Sequence, residues 1–179
     1  MWRRTRTLVL LAALVGAPAC GPDESSVGSV FRPEPGLLAE YFDARSLQQP
    51  AGVYQDAAID FQGWQLNDLA LARGHAPRSL SIRWSGQLRF AQAETYTLAF
   101  ELQGRVRIWV GDTLVVDDWT DSGVLRRARG TIAVDPAGWR DLRIEWDQLD
   151  GPMTAQLRYQ SPSQPETIVP PGALRHPAP

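Results

Sequence analysis

From Gly36 onward, apolar and polar side chains alternate along the chain. Ile82, Trp84, Leu88 and Phe90 share one parity, with Ser81, Arg83 and Arg89 on the other. Tyr96, Leu98, Phe100 and Leu102 repeat the pattern, and Val106, Ile108 and Val110 stand against Arg105, Arg107 and Trp109. Further on, Leu142, Ile144 and Trp146 oppose Asp141, Arg143 and Glu145, while Ala155, Leu157 and Tyr159 oppose Thr154, Gln156 and Arg158. A period of two over such runs predicts strands with one buried and one wet face. Turn residues separate them: Gly104, Gly111-Asp112, Asp135-Pro136-Ala137-Gly138 and Asp150-Gly151-Pro152. Gly86 interrupts one run and predicts a bulge or a close backbone approach. Residues 63–79 break the alternation and read either as an excursion loop or as a short helical turn across Leu66–Ala72. Short strands at this spacing, without a long helical period, predict an all-β fold, an antiparallel β-sandwich or barrel.

The N-terminus reads differently. Arg3, Arg4 and Arg6 precede an apolar run over residues 8–15, and Ala17-Pro18-Ala19 leads into Cys20. That is the layout of a secretion signal over residues 1–19, with an apolar run too short to span a bilayer as a stable helix. The segment APAC also resembles the lipobox of bacterial lipoproteins, with Ala17 where a Leu is usual; on that reading Cys20 becomes the lipid-bearing N-terminus. The alternative is an ordinary secreted protein cleaved near Ala19. Loss of the three signal arginines takes the formal charge from −2 to −5. Residues 20–35 are then the lipidated Cys and a polar, flexible tether, the alternative being an ordered arm anchored by Val30 and Phe31. A β-domain over 36–174 and a tail over 175–179 complete the organisation.

Composition narrows the function. The 179 residues carry 18 basic side chains, all Arg, against 20 acidic ones. A net charge of −2 argues against a nucleic-acid partner, whose footprint is a concentrated positive field. One Cys excludes a disulfide framework and a Cys-rich zinc site, and two distant His leave little for a His-based metal site. The chain has no GxSxG elbow, no HExxH and no phosphate-cradling glycine loop. A non-catalytic module fits these absences.

The order of motifs resembles a known family. GLLAEYF at 36–42, RWSG at 83–86, ETYT at 94–97, VRIWVGDTLVVDDW at 106–119 and LRIEW at 142–146 follow one another as in the protective-antigen-type domain, the fourteen-kilodalton β-barrel module. The resemblance implies a twisted antiparallel barrel or sandwich, and a role in carbohydrate binding or adhesion. It also implies a calcium ion, held by two adjacent Asp just before the strand at Arg105–Val110, that grips vicinal sugar hydroxyls. Here those positions read Leu102-Gln103. A Leu cannot ligate calcium and Gln offers one neutral oxygen, so that chemistry is expected to be lost.

Other candidates remain. Asp117, Asp118 and Asp121 form the densest acidic cluster and are candidate calcium ligands, with Trp119 among them as a platform for a sugar face. The alternative for this stretch is a solvated loop, with Trp119 packed on the barrel. Trp64 and Gln103 are further ligand-binding candidates, and Trp109 is expected on a wet face. Arg126, Arg127 and Arg129 read as one strand's wet face, paired with nearby carboxylates. His75 and His176 have no acid partner close in sequence. A small glycosidase would need two opposed carboxylates, for which Asp118 and Glu145 are the candidates. The expected function is an exported envelope lipoprotein, membrane-bound through Cys20, whose β-domain binds a glycan or another surface polymer. The alternative is a structural or protein-interaction module that has lost calcium-dependent sugar binding, with a protein as its partner.

Overall fold

A computed structural model describes residues 33–76, 80–148 and 151–177. The signal and Cys20 lie outside the described residues, as does the tether up to Arg32. Two antiparallel sheets make up the domain. The larger runs β1 (Pro33–Pro35), β13 (Leu174–Pro177), β5 (Ser81–Phe90), β10 (Gly138–Asp147), β7 (Arg105–Val110) and β8 (Thr113–Asp118). To it β2 (Leu37–Ala44) and β3 (Gln48–Asp56) add a ribbon, β2 pairing with β5. The smaller sheet orders β12 (Gln164–Ile168), β11 (Ala155–Ser161), β6 (Thr95–Leu102) and β9 (Arg126–Ala133), with β4 (Asp60–Phe61) on β11.

The inner faces carry the apolar parity. Trp84 packs against Phe100 and Trp146 with ring centroids 6.5 and 6.3 Å apart, and Phe90 meets Tyr96 edge-on at 4.7 Å. Both buried indoles keep a hydrogen-bond partner, as burial requires: Trp84 Nε1 donates to Asp56 Oδ2 at 2.8 Å and Trp146 Nε1 to the Gln103 carbonyl at 3.0 Å. Where the edge strands β8 and β9 of the two sheets come together, Arg126 on β9 grips Asp118 on β8 with two bonds of 2.8 and 2.9 Å.

The ordered sheet extends past residues 36–174 at both ends. Pro33, Glu34 and Pro35 pair with Pro177, His176 and Arg175, so the last tether residues and the first tail residues are strand. The cause lies in β5, whose Ser81–Ser85 half is taken by β2 while Gln87 and Leu88 stay free to accept β13. Prolines at the outer positions suit a sheet edge, where a missing N–H costs no ladder bond. The switch falls at Gly86, where an added Cβ would come within 2.5 Å of the Arg175 carbonyl and 2.7 Å of Leu37 Cδ2. The close approach expected of Gly86 is present.

Residues 63–76 contain one helix, α1 (Gln65–Ala72), which buries Leu66, Asn67 and Ala70. A polar network after it ties the excursion to the sheet. Arg73 donates to Tyr41 Oη at 2.6 Å and Asp56 Oδ1 at 2.8 Å, and its guanidinium lies over Tyr54 at 4.4 Å. Burial and the nearby Asp56 carboxylate push the Tyr41 phenol above its ordinary range. Buried His75 contacts Tyr54 Oη at 2.7 Å and Asp43 Oδ1 at 2.9 Å. His75 therefore does have an acid partner, 32 residues upstream, beyond the reach of a local sequence pattern.

Candidate functional site

At one end of the sandwich, three connections and the end of β10 meet. The β6–β7 turn is stitched to the β8–β9 loop by Gly104 N donating to the Ser122 carbonyl at 2.8 Å and Gln103 Nε2 to the Gly123 carbonyl at 3.3 Å. Gln103 N donates to the Thr154 carbonyl at 3.3 Å, and Gly63 N reaches Thr154 Oγ1 at 3.4 Å, which brings in Trp64 from the excursion. Trp64 is 61% exposed. The sequence candidates from three separate stretches thus gather at one end.

A charge cluster sequence reasoning did not find holds this end together. Asp147, fully buried, accepts from Arg105 Nε at 2.9 Å, Arg45 Nε at 3.3 Å and the Ser46 N–H at 3.0 Å. Asp121 lies on the far side of the same two arginines, 2.6 Å from Arg45 and 3.5 Å from Arg105. The partners come from β2–β3, β7 and β10, up to 102 residues apart. The available signal was compositional: a chain whose every cation is Arg suits two-pronged carboxylate pairing.

The three candidate metal ligands do not converge. Asp117 is held by Arg107 at 2.8 Å, Asp118 by Arg126, and Asp121 by Arg45 and Arg105. Among the described residues no group of three His, Cys, Asp or Glu is placed to hold a metal. Calcium takes six to eight oxygens, and here guanidinium groups occupy the carboxylates it would need. Leu102, in place of a family carboxylate, points into the core. The residues present do not fit a calcium ion. Trp119 is no open platform either, since the Arg105 and Arg107 guanidinium groups lie 4.7 and 4.8 Å from its ring. Asp118 and Glu145 sit on opposite faces of the larger sheet: Asp118 opposes inward Val106, whereas Glu145 opposes outward Arg107 and bonds Arg83. They do not form the opposed carboxylate pair of a glycosidase. Gln103 and Trp64 remain the least committed of the candidates. Arg127 and Arg129 pair with Glu101 and Glu166, as a wet strand face should.

The PA14 domain family model matches residues 33–173. The chain belongs to the PA14 family. This PA14 domain is 27% identical over 135 residues to the anti-sigma-I factor RsgI3 of Acetivibrio thermocellus, a match covering 75% of this chain and 20% of that protein. A solved anti-sigma factor domain-containing protein superposes with a TM-score of 0.74 at 27% identity, covering 84% of this chain and 51% of that one. The chain thus spans about a fifth of the curated relative and about half of the solved one. A PA14 sugar-binding domain from an RTX adhesin shares the fold, with a TM-score of 0.60 at 14% identity over 79% of this chain and 98% of that one.

The site makes this PA14 domain acid-sensitive in a defined direction. The hydrogen bonds from Arg126 hold the Asp118 carboxyl below its ordinary value of 3.8. A depressed folded value contributes stability above the unfolded one and loses it as pH falls through the folded value. Urea midpoints measured from about pH 5 down to about pH 2.5 should therefore fall, and Asp118→Asn should flatten that fall. An equally steep decline in the variant would remove Asp118 as a contributor.

Proposed function

We propose that this PA14 domain is the non-catalytic, exported module of an envelope lipoprotein anchored through Cys20, and that it binds carbohydrate at the loop end of the sandwich without calcium. The observation that carries this reading is the convergence of Gln103 and Trp64 on one rim. A mostly exposed indole offers a face for a sugar ring, and the Gln103 amide offers an acceptor and a donor beside it. The rim carboxylates serve as scaffold, because each is already satisfied by arginine. The basic, apolar and small-residue order ending at Cys20 supports export and lipid attachment.

A glycan array probed with and without a calcium chelator tests this. The same saccharides should be retained in both conditions, and Trp64→Ala or Gln103→Ala should weaken retention by about tenfold, the effect of one lost stacking or hydrogen-bonding contact. Retention that vanishes with chelator would overturn the calcium-free site. A second reading, a protein-interaction module that has lost sugar binding, draws on Leu102 and on the exposed Val124 and Leu125 beside Gly123. No retained saccharide in either condition, together with a defined protein partner in a pull-down, would favour it.

A further inference from the structure

The arginines of this domain are not distributed evenly between paired and unpaired. Among the described residues, every arginine forms an ion pair with a carboxylate except Arg89, Arg140, Arg143 and Arg175. All four fall on neighbouring strands of the larger sheet. Arg89 on β5 lies opposite Trp139 on β10, Arg143 on β10 opposite Trp109 on β7, and Arg175 on β13 opposite Gln87 on β5. The Arg140 side chain donates to the carbonyls of Trp139 and Pro136, and Arg140 opposes buried Leu88, so it takes the other parity and is not part of the outward face.

Two of these arginines are stacked on indoles. The Arg143 guanidinium lies 3.9 Å from the Trp109 ring centre, and that of Arg175 lies 4.1 Å from Trp139. A guanidinium held flat on an aromatic ring keeps its N–H edges free for a two-pronged grip on a carboxylate. Arg175 spends one N–H on Gln87 Oε1 at 2.8 Å, and Gln87 in turn donates to Asp141 at 2.8 Å. Asp141 therefore sits between two positive lobes, Arg143 with Trp109 and Arg175 with Trp139 and Arg89. Along β10 the four residue steps from Trp139 to Arg143 span roughly 13 Å at about 3.3 Å per step.

We infer that this outward face is a second saccharide surface, and that its ligand is an acidic polysaccharide carrying uronate carboxylates. The reading rests on the domain being a carbohydrate binder, but uses a face distinct from the Gln103 rim. Charge complementarity selects the sign: the chain is net negative, yet Arg89, Arg143 and Arg175 share this face without an ion pair among the described residues. Two lobes more than one sugar ring apart select a polymer over a single sugar. The interleaved indoles select a ligand with ring faces as well as charges. A nucleic-acid duplex brings a charge about every 1.7 Å of axis, far denser than one carboxylate per sugar ring, and would lay most of its phosphates over the acidic remainder of the domain.

The test is titration of the full chain with polygalacturonate, its methyl-esterified form, single-stranded DNA and anionic phosphatidylglycerol vesicles. Polygalacturonate should bind, several-fold more weakly at about 200 mM than at about 50 mM salt, and the esterified polymer should not. The Arg89 side chain makes no hydrogen bond, ion pair or ring contact among the described residues, so Arg89→Gln leaves packing intact. Combined with Arg143→Gln, which gives up the stack on Trp109, it should weaken polygalacturonate binding at least about tenfold while the cooperative thermal melt is retained. Gln103→Ala should leave it unchanged. Equal binding of the esterified polymer, of DNA or of vesicles, or an unaltered affinity in the double variant, would overturn the inference. If polygalacturonate fails while another saccharide still depends on Gln103 and Trp64, this surface is refuted and the rim site stands.

Discussion

Replacing Asp147 with alanine is expected to lower the unfolding free energy by about 3–5 kcal/mol, the range for breaking a buried ion pair from one side. The carboxylate is fully buried and accepts from Arg105, Arg45 and the Ser46 N–H. Its removal leaves Arg105, itself only 15% exposed, with Asp121 at 3.5 Å as its remaining carboxylate. It also frees a strained turn. Ser46 and Leu47 adopt φ of 62° and 57°, the left-handed region that costs side-chain-bearing residues about 1–2 kcal/mol each. Their N–H groups are held by Asp147 and by Ser81 Oγ. Asp147→Asn keeps the shape and one acceptor and should cost less. Urea unfolding of both variants measures the difference; a loss below about 1 kcal/mol for the alanine would place the cluster among solvent-screened pairs.

Gly104→Ala is the second large effect. Gly104 has φ of 95°, and a Cβ there would stand 2.1 Å from the Asp147 carbonyl. Backbone cannot yield as a side-chain tip can, so the turn must move. The left-handed conformation alone costs about 1–2 kcal/mol, and with the overlap a total of at least about 3 kcal/mol is expected in thermal or urea melts. The shift would break the Gly104 bond to Ser122 and carry Gln103 with it, so saccharide retention at the rim should fall below that of Gln103→Ala. Wild-type stability in Gly104→Ala would mean that the β6–β7 turn is not fixed by this packing.

Strand pattern was the legible part, because alternation is a local property. The inward parity of Ile82, Trp84, Leu142, Ile144 and Trp146 predicts their burial directly. The excursion left loop and helix open, and tertiary burial of Leu66 and Ala70 decides for the helix. Sheet order and long-range polar pairing were not legible. Asp147 ends a run as an ordinary strand-terminal acid, and only the fold brings Arg45 to it from 102 residues away. Asp117, Asp118 and Asp121 are near one another in sequence, which suggested a shared cation. Successive strand residues face opposite sides, and each carboxylate meets a different arginine. The ends misled for another reason: Pro33, Pro35 and Pro177 have the composition of a linker, and their pairing depends on an edge that β5 leaves open.

The antiparallel pairing of Pro33 with Pro177 has a consequence for architecture. Entry and exit of the folded unit adjoin, so the fold is geometrically compatible with a plug-in position that would not force flanking pieces apart. A unit wired this way suits insertion into a longer chain as readily as suspension from one terminus, and its partners in a host need no redesign to receive it.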